Sequence, residues 1–422
     1  MTNNEAWEKL FKKYDIYNQI NKNGVFEISA NQIREFREPR LMTKFDTYES
    51  RPSIFGNRLT ILPNSRGTYL IGHFDAYEKF PNMTSDIHHV EFPDYLETIN
   101  KNQITSEAIA INIMSITDIL NDFLKEENML QTISGRMSSG AFDFNIYDTK
   151  NKNNIKIAVN NSQIEIDAGF ENQNVIALIE GKNIFNENFL VRQLYYPYRC
   201  WQNKAAKTVK CIFMIYSNNI FRLMEFEFQD LNNYSSISFL RQKNYSFEET
   251  KISMQDLIEI YRSTCVKPEP GNVPFIQANN FNTAISIMEM VKDNPLTTEK
   301  IAENIGFKQR QSDYYYNACK YLGLAEKIKN ENGNRVVSLT KKGKNLLDMP
   351  YKKRQLQYVS LLLEHEILMY SFELAINSGN IPDNKLLEHK IRELKLCEDS
   401  ADRRASTVAA WTKWIFNLIN DY

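Results

Sequence analysis

Five apolar residues in an unbroken run, Val175-Ile-Ala-Leu-Ile179, stop abruptly at Glu180-Gly-Lys182. Side chains alternate between the two faces of a sheet, so a strand that is apolar at every position must be covered on both. The run therefore demands a layered fold and rules out a one-layer sheet open to water. The chain can supply the layers: its 422 residues, 42% hydrophobic and 12% aromatic, suffice for two to four domains at roughly 100 to 200 residues each. With 24% of residues charged, a disordered or fibrous chain is also excluded.

Lys and Arg number 51 against 52 Asp and Glu, a formal net charge of -1. That balance excludes a uniformly basic nucleic-acid coat but says nothing of local patches. The cysteines Cys200, Cys211, Cys265, Cys319 and Cys397 contain no C-x-x-C pair and suit reduced core residues of a cytoplasmic protein better than disulfides or a zinc site. His73, His88 and His89 are too sparse and wrongly spaced for zinc. The N-terminal MTNNEAWEKLFKKYD has no apolar signal core, and no stretch approaches about 18 uninterrupted apolar residues, so neither secretion nor membrane insertion is expected.

The pattern along the chain predicts an α+β multidomain protein. Residues 1–95 read as a small α+β segment, with a helix over Trp7 to Tyr17 and strands at Leu59 to Leu62 and Thr68 to Gly72. Residues 96–266 read as an α/β core. It starts with one long helix, or two with a break, from Ile99 to Glu127, capped by Thr105 or Ser106, followed by strands at Ala141 to Tyr147, Ile155 to Val159, Gln163 to Phe170 and Val175 to Lys182. Helix over Asn188 to Trp201 and strands at Thr208 to Tyr216 and Phe221 to Phe228 complete it. Residues 267–280, with Pro268, Pro270, Gly271 and Pro274, read as a linker. Within 281–345, three helices precede two strands joined through Asn332-Gly333, the plan of a winged helix-turn-helix. Residues 346–422 are expected to be helical, with helices over Leu356 to Ser378, Asn384 to Leu394 and Asp402 to Ile419 that are compatible with a second, degenerate copy of that plan without an obvious wing.

Alternation puts Glu180 and Lys182 on one strand face and Glu165 and Asp167 on one face of the strand before it. A turn centred on Gln173-Asn174 sets Asp167 opposite Glu180, and a shift of register by one pair of positions sets Glu165 there instead. Paired carboxylates repel when ionised, and a hard divalent cation such as Mg²⁺ relieves them. A cation held there polarises a phosphate and acidifies water, while lysine orients the water or stabilises developing negative charge. The alternative is that these residues line the solvated face of an edge hairpin, with Glu180 and Lys182 as salt-bridge partners.

Asp167 followed after twelve residues by Glu180-Gly-Lys182 resembles the D…(D/E)-x-K signature of the PD-(D/E)xK nuclease superfamily, with Ile166 where proline is common. Together with Phe36-Arg-Glu-Pro-Arg-Leu-Met-Thr-Lys-Phe-Asp46, Ile61-Leu-Pro-Asn-Ser-Arg-Gly-Thr-Tyr69, Ser134-Gly-Arg-Met-Ser-Ser-Gly140, Arg192-Gln-Leu-Tyr-Tyr-Pro-Tyr198 and Arg403-Arg-Ala-Ser-Thr-Val-Ala-Ala-Trp411, it makes most of the chain similar to type II restriction endonucleases. The resemblance implies a restriction-endonuclease-like core with a mixed sheet, Mg²⁺-dependent cleavage of double-stranded DNA, a homodimer on DNA and a companion methyltransferase in the host. It also implies Asp167 and Glu180 as metal ligands and Lys182 as the catalytic lysine. Glu107 is the candidate fourth acid, with an ordinary first-turn glutamate as the alternative. Gln193 is a candidate for orienting water or substrate, and Glu165 an accessory carboxylate.

Residues Phe281 to Lys344 hold eleven basic and seven acidic side chains, a local net charge of +4. In a winged helix Lys308, Gln309, Arg310, Gln311, Tyr314 and Asn317 would face DNA bases, and Lys327, Lys329 and Arg335 on the wing would meet phosphates. Arg403 and Arg404, and Arg37, Arg40 and Lys44 near the N-terminus, are further phosphate candidates, with salt bridging between domains as the alternative. A different class of function also fits the pattern: a non-catalytic winged-helix regulator whose α/β part is a sensor or oligomerisation domain, which has no need of the Asp167, Glu180 and Lys182 hairpin.

Overall fold

The computed structural model describes residues 1–420. It is an α+β multidomain protein with a mixed sheet and a helical C-terminal region. The first unit packs helices Asn3–Lys13 and Ile16–Asn23 against an antiparallel sheet of Val25–Ser29, Thr68–Gly72 and Thr60–Pro63. The helix expected over Trp7 to Tyr17 is two helices, because Asp15 takes φ 49° and turns the chain between them. Trp7, Phe11 and Phe55 form the aromatic centre of this unit, whose core ends at Ile71. Residue 95 is therefore not its limit: Tyr77–Lys79 and Ile87–His89 pair with strands of the next unit.

That unit is built on seven strands: β1 (Ile87–His89), β2 (Leu130–Ser138), β3 (Gln163–Glu171), β4 (Val175–Lys182), β5 (Thr208–Ser217), β6 (Ile220–Phe228) and β7 (Ile237–Ser246). Their spatial order is β1-β7-β6-β5-β4-β3-β2, with β4 parallel to β5, β1 parallel to β7 and the remaining neighbours antiparallel. The apolar run lies in β4 and divides between two cores. Ile176 and Leu178 pack with Phe189, Tyr195 and Phe213 on one side. Val175, Ala177 and Ile179 pack on the other with helices α1 (Glu107–Ile116) and α2 (Ile119–Leu124). Of the two arrangements expected between Ile99 and Glu127, two helices with a break is the one found, starting at Glu107, and Ser106 is the cap. Helix α3 (Arg192–Gln202) covers the first side, and the strand Asn188–Leu190 precedes it where helix was expected. The hairpin Ala141–Asp148 with Asn153–Asn160 forms a separate two-stranded sheet. Strands β2 and β7 had no counterpart in the sequence reading.

The helical region comprises α4 (Met254–Ser263), α5 (Phe281–Met290), α6 (Thr298–Ile305), α7 (Gln309–Tyr321), α8 (Lys341–Leu347), α9 (Tyr351–Leu363), α10 (Glu366–Ser378), α11 (Asn384–Glu393) and α12 (Ala401–Phe416). Its core already includes Ile252 and Leu257, upstream of the expected linker. The proline-bearing stretch lies within this unit rather than between units. Lys267 N donates to Glu364 O at 2.7 Å, Glu269 meets His365 Nδ1 at 3.0 Å, and Phe275 and Ile276 are core residues. Strands Ala325–Lys329 and Arg335–Leu339 form the expected hairpin after α7, and Leu296 bridges its second strand at Val337. The helix expected over Leu356 to Ser378 is broken at Glu364-His365. Helices α10, α11 and α12 share one continuous core with α5 to α7, and no second hairpin follows among the described residues.

Candidate active site

The β3–β4 ladder runs from Glu171↔Ile176 to Ala168↔Ile179, the register of a turn centred on Gln173-Asn174. One step further, where Asp167 faces Glu180, the backbone ladder gives way to a side chain: Asp167 Oδ2 accepts from Gly181 N at 2.9 Å. Two donors converge on Glu180 Oε1, Lys182 Nζ at 2.6 Å and Gln193 Nε2, at the start of α3, at 2.5 Å. Glu180 is only 8% exposed, and Gln193 Oε1 is buried with no partner among the described residues.

Helix α1 is held against this end of β4 by close approach. A Cβ on Gly181 would lie 3.2 Å from Ile111 Cδ1. Asn183, with its amide oxygen toward the helix, accepts from Glu107 N at 3.2 Å and Ser106 N at 3.3 Å. Glu107 is thereby brought into the electrostatic field of Lys182 and Asp167.

The charges here are unbalanced. Burial, with Asp167 nearby and only partly offset by Lys182, pushes the Glu180 carboxyl up to about 7. Glu107 is raised for the same reason, first by burial and then by Asp167. Burial opposes the charged form of Lys182, yet Glu180, Glu107, Asp46 and Asp167 together hold its ammonium above the usual lysine range. Asp46 arrives from the N-terminal unit and went unassigned as an acid in the sequence, although it closes one of the quoted segments. Its loop is pinned by Leu190 N to Asp46 O at 2.9 Å and by Asn188, which accepts from Tyr48 N at 2.7 Å and donates to Glu49 at 2.9 Å. On the other side of this loop, the Thr47 hydroxyl donates to Gly306 O, in the turn before α7.

Glu165 lines a small cavity together with Glu180 and Gln193, although its carboxylate is engaged elsewhere. The β2–β3 ladder shifts register between Ile133 and Gly135, with one extra residue on β3. Ile164 and Ile166 consequently pack with Leu178, whereas Ala168 and Phe170 pack on the opposite side. Strict alternation thus fails between Glu165 and Asp167, and exposed Glu165 pairs with Arg136 Nε at 3.1 Å. Among the described residues no three His, Cys, Asp or Glu side chains form a ready-made metal-binding group, so Asp167, Glu180 and Glu107 are neighbours and not a preformed ligand triad. The donor chemistry still suits a hard cation: carboxylates in excess of positive charge beside an unpaired amide oxygen.

In the helical region Lys308, Gln309 and Arg310 are exposed at the start of α7. Gln309 is engaged by Glu299, and the Arg310 guanidinium lies 5.4 Å from the centre of the half-buried Tyr314 ring. Gln311 accepts from Lys308 N at 3.1 Å, so its side chain caps the helix. Asn317 is half-buried. Lys327 pairs with Asp313 at 3.2 Å, while Lys329 and Arg335 stand exposed and directly opposite each other on the hairpin. Arg403 is exposed, while Arg404 and Arg37 are half-buried, each donating through Nη1 to a backbone carbonyl, Phe275 O and Met1 O respectively. Arg40 and Lys44 remain exposed, Lys44 lying 3.7 Å from Asp46.

Three family models match the chain, each described as a domain of unknown function: DUF6996 over residues 4–71, DUF6997 over 72–246 and DUF7226 over 283–420. No curated protein and no solved structure matches it. The division at 71 and 72 coincides with the end of the first hydrophobic core. The second model spans the seven-stranded sheet, with Asp167, Glu180, Lys182, Gln193 and Glu107 all inside it.

Proposed function

We propose that the chain is a Mg²⁺-dependent endonuclease that hydrolyses phosphodiester bonds in double-stranded DNA at a specific sequence, acting in the cytoplasm as a dimer on the duplex. The observation that carries this reading is the buried Glu180, shared by Lys182 and Gln193 and set beside Asp167 at the end of a central strand. Buried charge of this kind costs stability, and such perturbed groups cluster at functional sites. Asp167 and Glu180 would hold the cation, with Gln193 Oε1 and Glu107 beside them. Bound Mg²⁺ supplies Lewis acidity toward a phosphate oxygen and lowers the pKa of a bound water. Lys182 keeps its proton and places a fixed positive charge where negative charge develops on the phosphate.

Helices α5, α6 and α7 with the following hairpin support a winged-helix reading, in which the start of α7 enters the major groove and Lys329 and Arg335 contact phosphates. The test is incubation of purified protein with long mixed-sequence DNA and Mg²⁺. Discrete fragments, absent in the Lys182→Met variant while DNA binding persists, are expected. Intact DNA under conditions where the protein binds it sinks the proposal. One observation favours a second reading, a non-catalytic winged-helix regulator: the lack of a ready-made metal-binding group among the described residues. Binding without cleavage is the result that would select it.

A further inference from the structure

Residues 45–49 bridge the carboxylate cluster and the helical region. On one side the loop is fastened to the two-stranded sheet of Tyr77–Lys79 and Asn188–Leu190. Tyr77 Oη donates to Phe45 O at 2.9 Å, Leu190 N donates to Asp46 O at 2.9 Å, and Asn188 holds both Tyr48 N at 2.7 Å and Glu49 at 2.9 Å. Leu190 lies three residues before Gln193, whose amide donates to Glu180. The half-buried Asp46 carboxylate is thereby set among the acids around Lys182. On the other side the buried Thr47 hydroxyl donates to Gly306 O, and the fit is close: a Cβ on Gly306 would lie 2.9 Å from Thr47 Oγ1. Gly306 closes α6 in the left-handed region, at φ 80°, and two residues later Lys308 caps α7.

The segment that follows Lys182 is anchored to a different helix, since Phe185 N donates to Ser286 Oγ on α5 at 3.3 Å. A shift of the α6–α7 turn against α5 would therefore move Asp46 relative to Lys182. We propose that Thr47 is a positioning residue, through which DNA seated on α7 sets the Asp46 carboxylate against the Lys182 ammonium. This role rests on the nuclease reading, in which Lys182 faces the phosphate; Thr47 and Asp46 act through Lys182 and leave the cation to the other carboxylates.

The test uses Thr47→Val in the full chain, which removes the hydroxyl and keeps the shape. Thr47 sits in extended backbone, φ -124° and ψ 157°, that valine adopts readily. The variant should bind duplex DNA with unchanged affinity and cut it about tenfold more slowly in single turnover, the loss of roughly one buried hydrogen bond. Thr47→Ser should restore the rate, and the losses in Thr47→Val and Asp46→Asn should not add in the double variant. Hydrogen exchange in Mg²⁺-free buffer reads the same link without cleavage: added duplex should slow the amides of residues 46–49 and 188–190 in the wild type and in Thr47→Ser, but not in Thr47→Val. A wild-type cutting rate in Thr47→Val overturns the role and leaves the nuclease reading standing. Additive losses, or affinity lost along with rate, also overturn it. The exchange response without any cleavage supports the link and removes the nuclease reading, whereas no response to DNA in the wild type overturns the link.

Discussion

Gly181 answers two demands at once: its N–H goes to Asp167, and its missing side chain admits Ile111 from α1. Gly181→Ala should push α1 outward and cost about 1 to 3 kcal/mol, the usual range for overpacking a core, measurable by urea denaturation. Lys182 illustrates a different dependence. Removing a buried cation from Glu180 while leaving the carboxylate costs about 3 to 5 kcal/mol, so Lys182→Ala should lower the denaturation midpoint clearly. Lys182→Met retains the apolar stem and should lose less, which makes it the better variant for separating chemistry from folding. At this scale the sequence was legible where contacts are local. The register of Asp167 against Glu180 followed from an apolar run and a four-residue turn. The pairing of Glu165 with Arg136 was not legible, because a bulge breaks alternation without leaving a mark in composition. Asp46 escaped notice because only tertiary docking through Asn188 brings it near Lys182.

Helix α5 docks on the sheet through Glu289, which accepts from Ser217 Oγ at 2.7 Å and Asn218 N at 2.8 Å. Burial holds this carboxyl above its ordinary value despite Arg354 and Arg222. A raised folded pKa means its contribution to stability is fully present below the unfolded value and is lost as pH rises through the folded one. Glu289→Gln should therefore flatten the fall in melting temperature as pH rises above the ordinary glutamate range; an unchanged profile would show that the group does not govern docking. On the hairpin, Lys329 and Arg335 oppose each other with like charge, an arrangement that gains from an anion between them. Replacing Arg335 by Ala should weaken DNA binding uniformly across sequences and make the slope of log affinity against log salt shallower by about 1. Among elements, those with strong periodicity were readable and those at the sheet's margins were not. Edge strand β2 carries Ser134-Gly-Arg-Met-Ser and faces water along most of its length, so no apolar alternation announces it. Strand β7 is half-exposed for the same reason.

Across the whole molecule, the net charge of -1 hides a division of labour: basic side chains on α7 and its hairpin, and a surplus of carboxylates around Lys182. A loop from the N-terminal unit touches both, holding Asp46 near the cluster and Thr47 against the turn before α7. The chain also closes on itself. Ile252 N donates to Asn420 Oδ1 at 2.7 Å and Asn420 N to Ile252 O at 3.1 Å, so the segment entering α4 is sewn to the segment leaving α12. For anyone dissecting the protein, the useful cut lies before residue 250 and not at the prolines. A fragment of residues 248–422 should melt in one cooperative transition, whereas one starting at 267 forfeits Leu257 and its clasp and should behave as a partly collapsed chain.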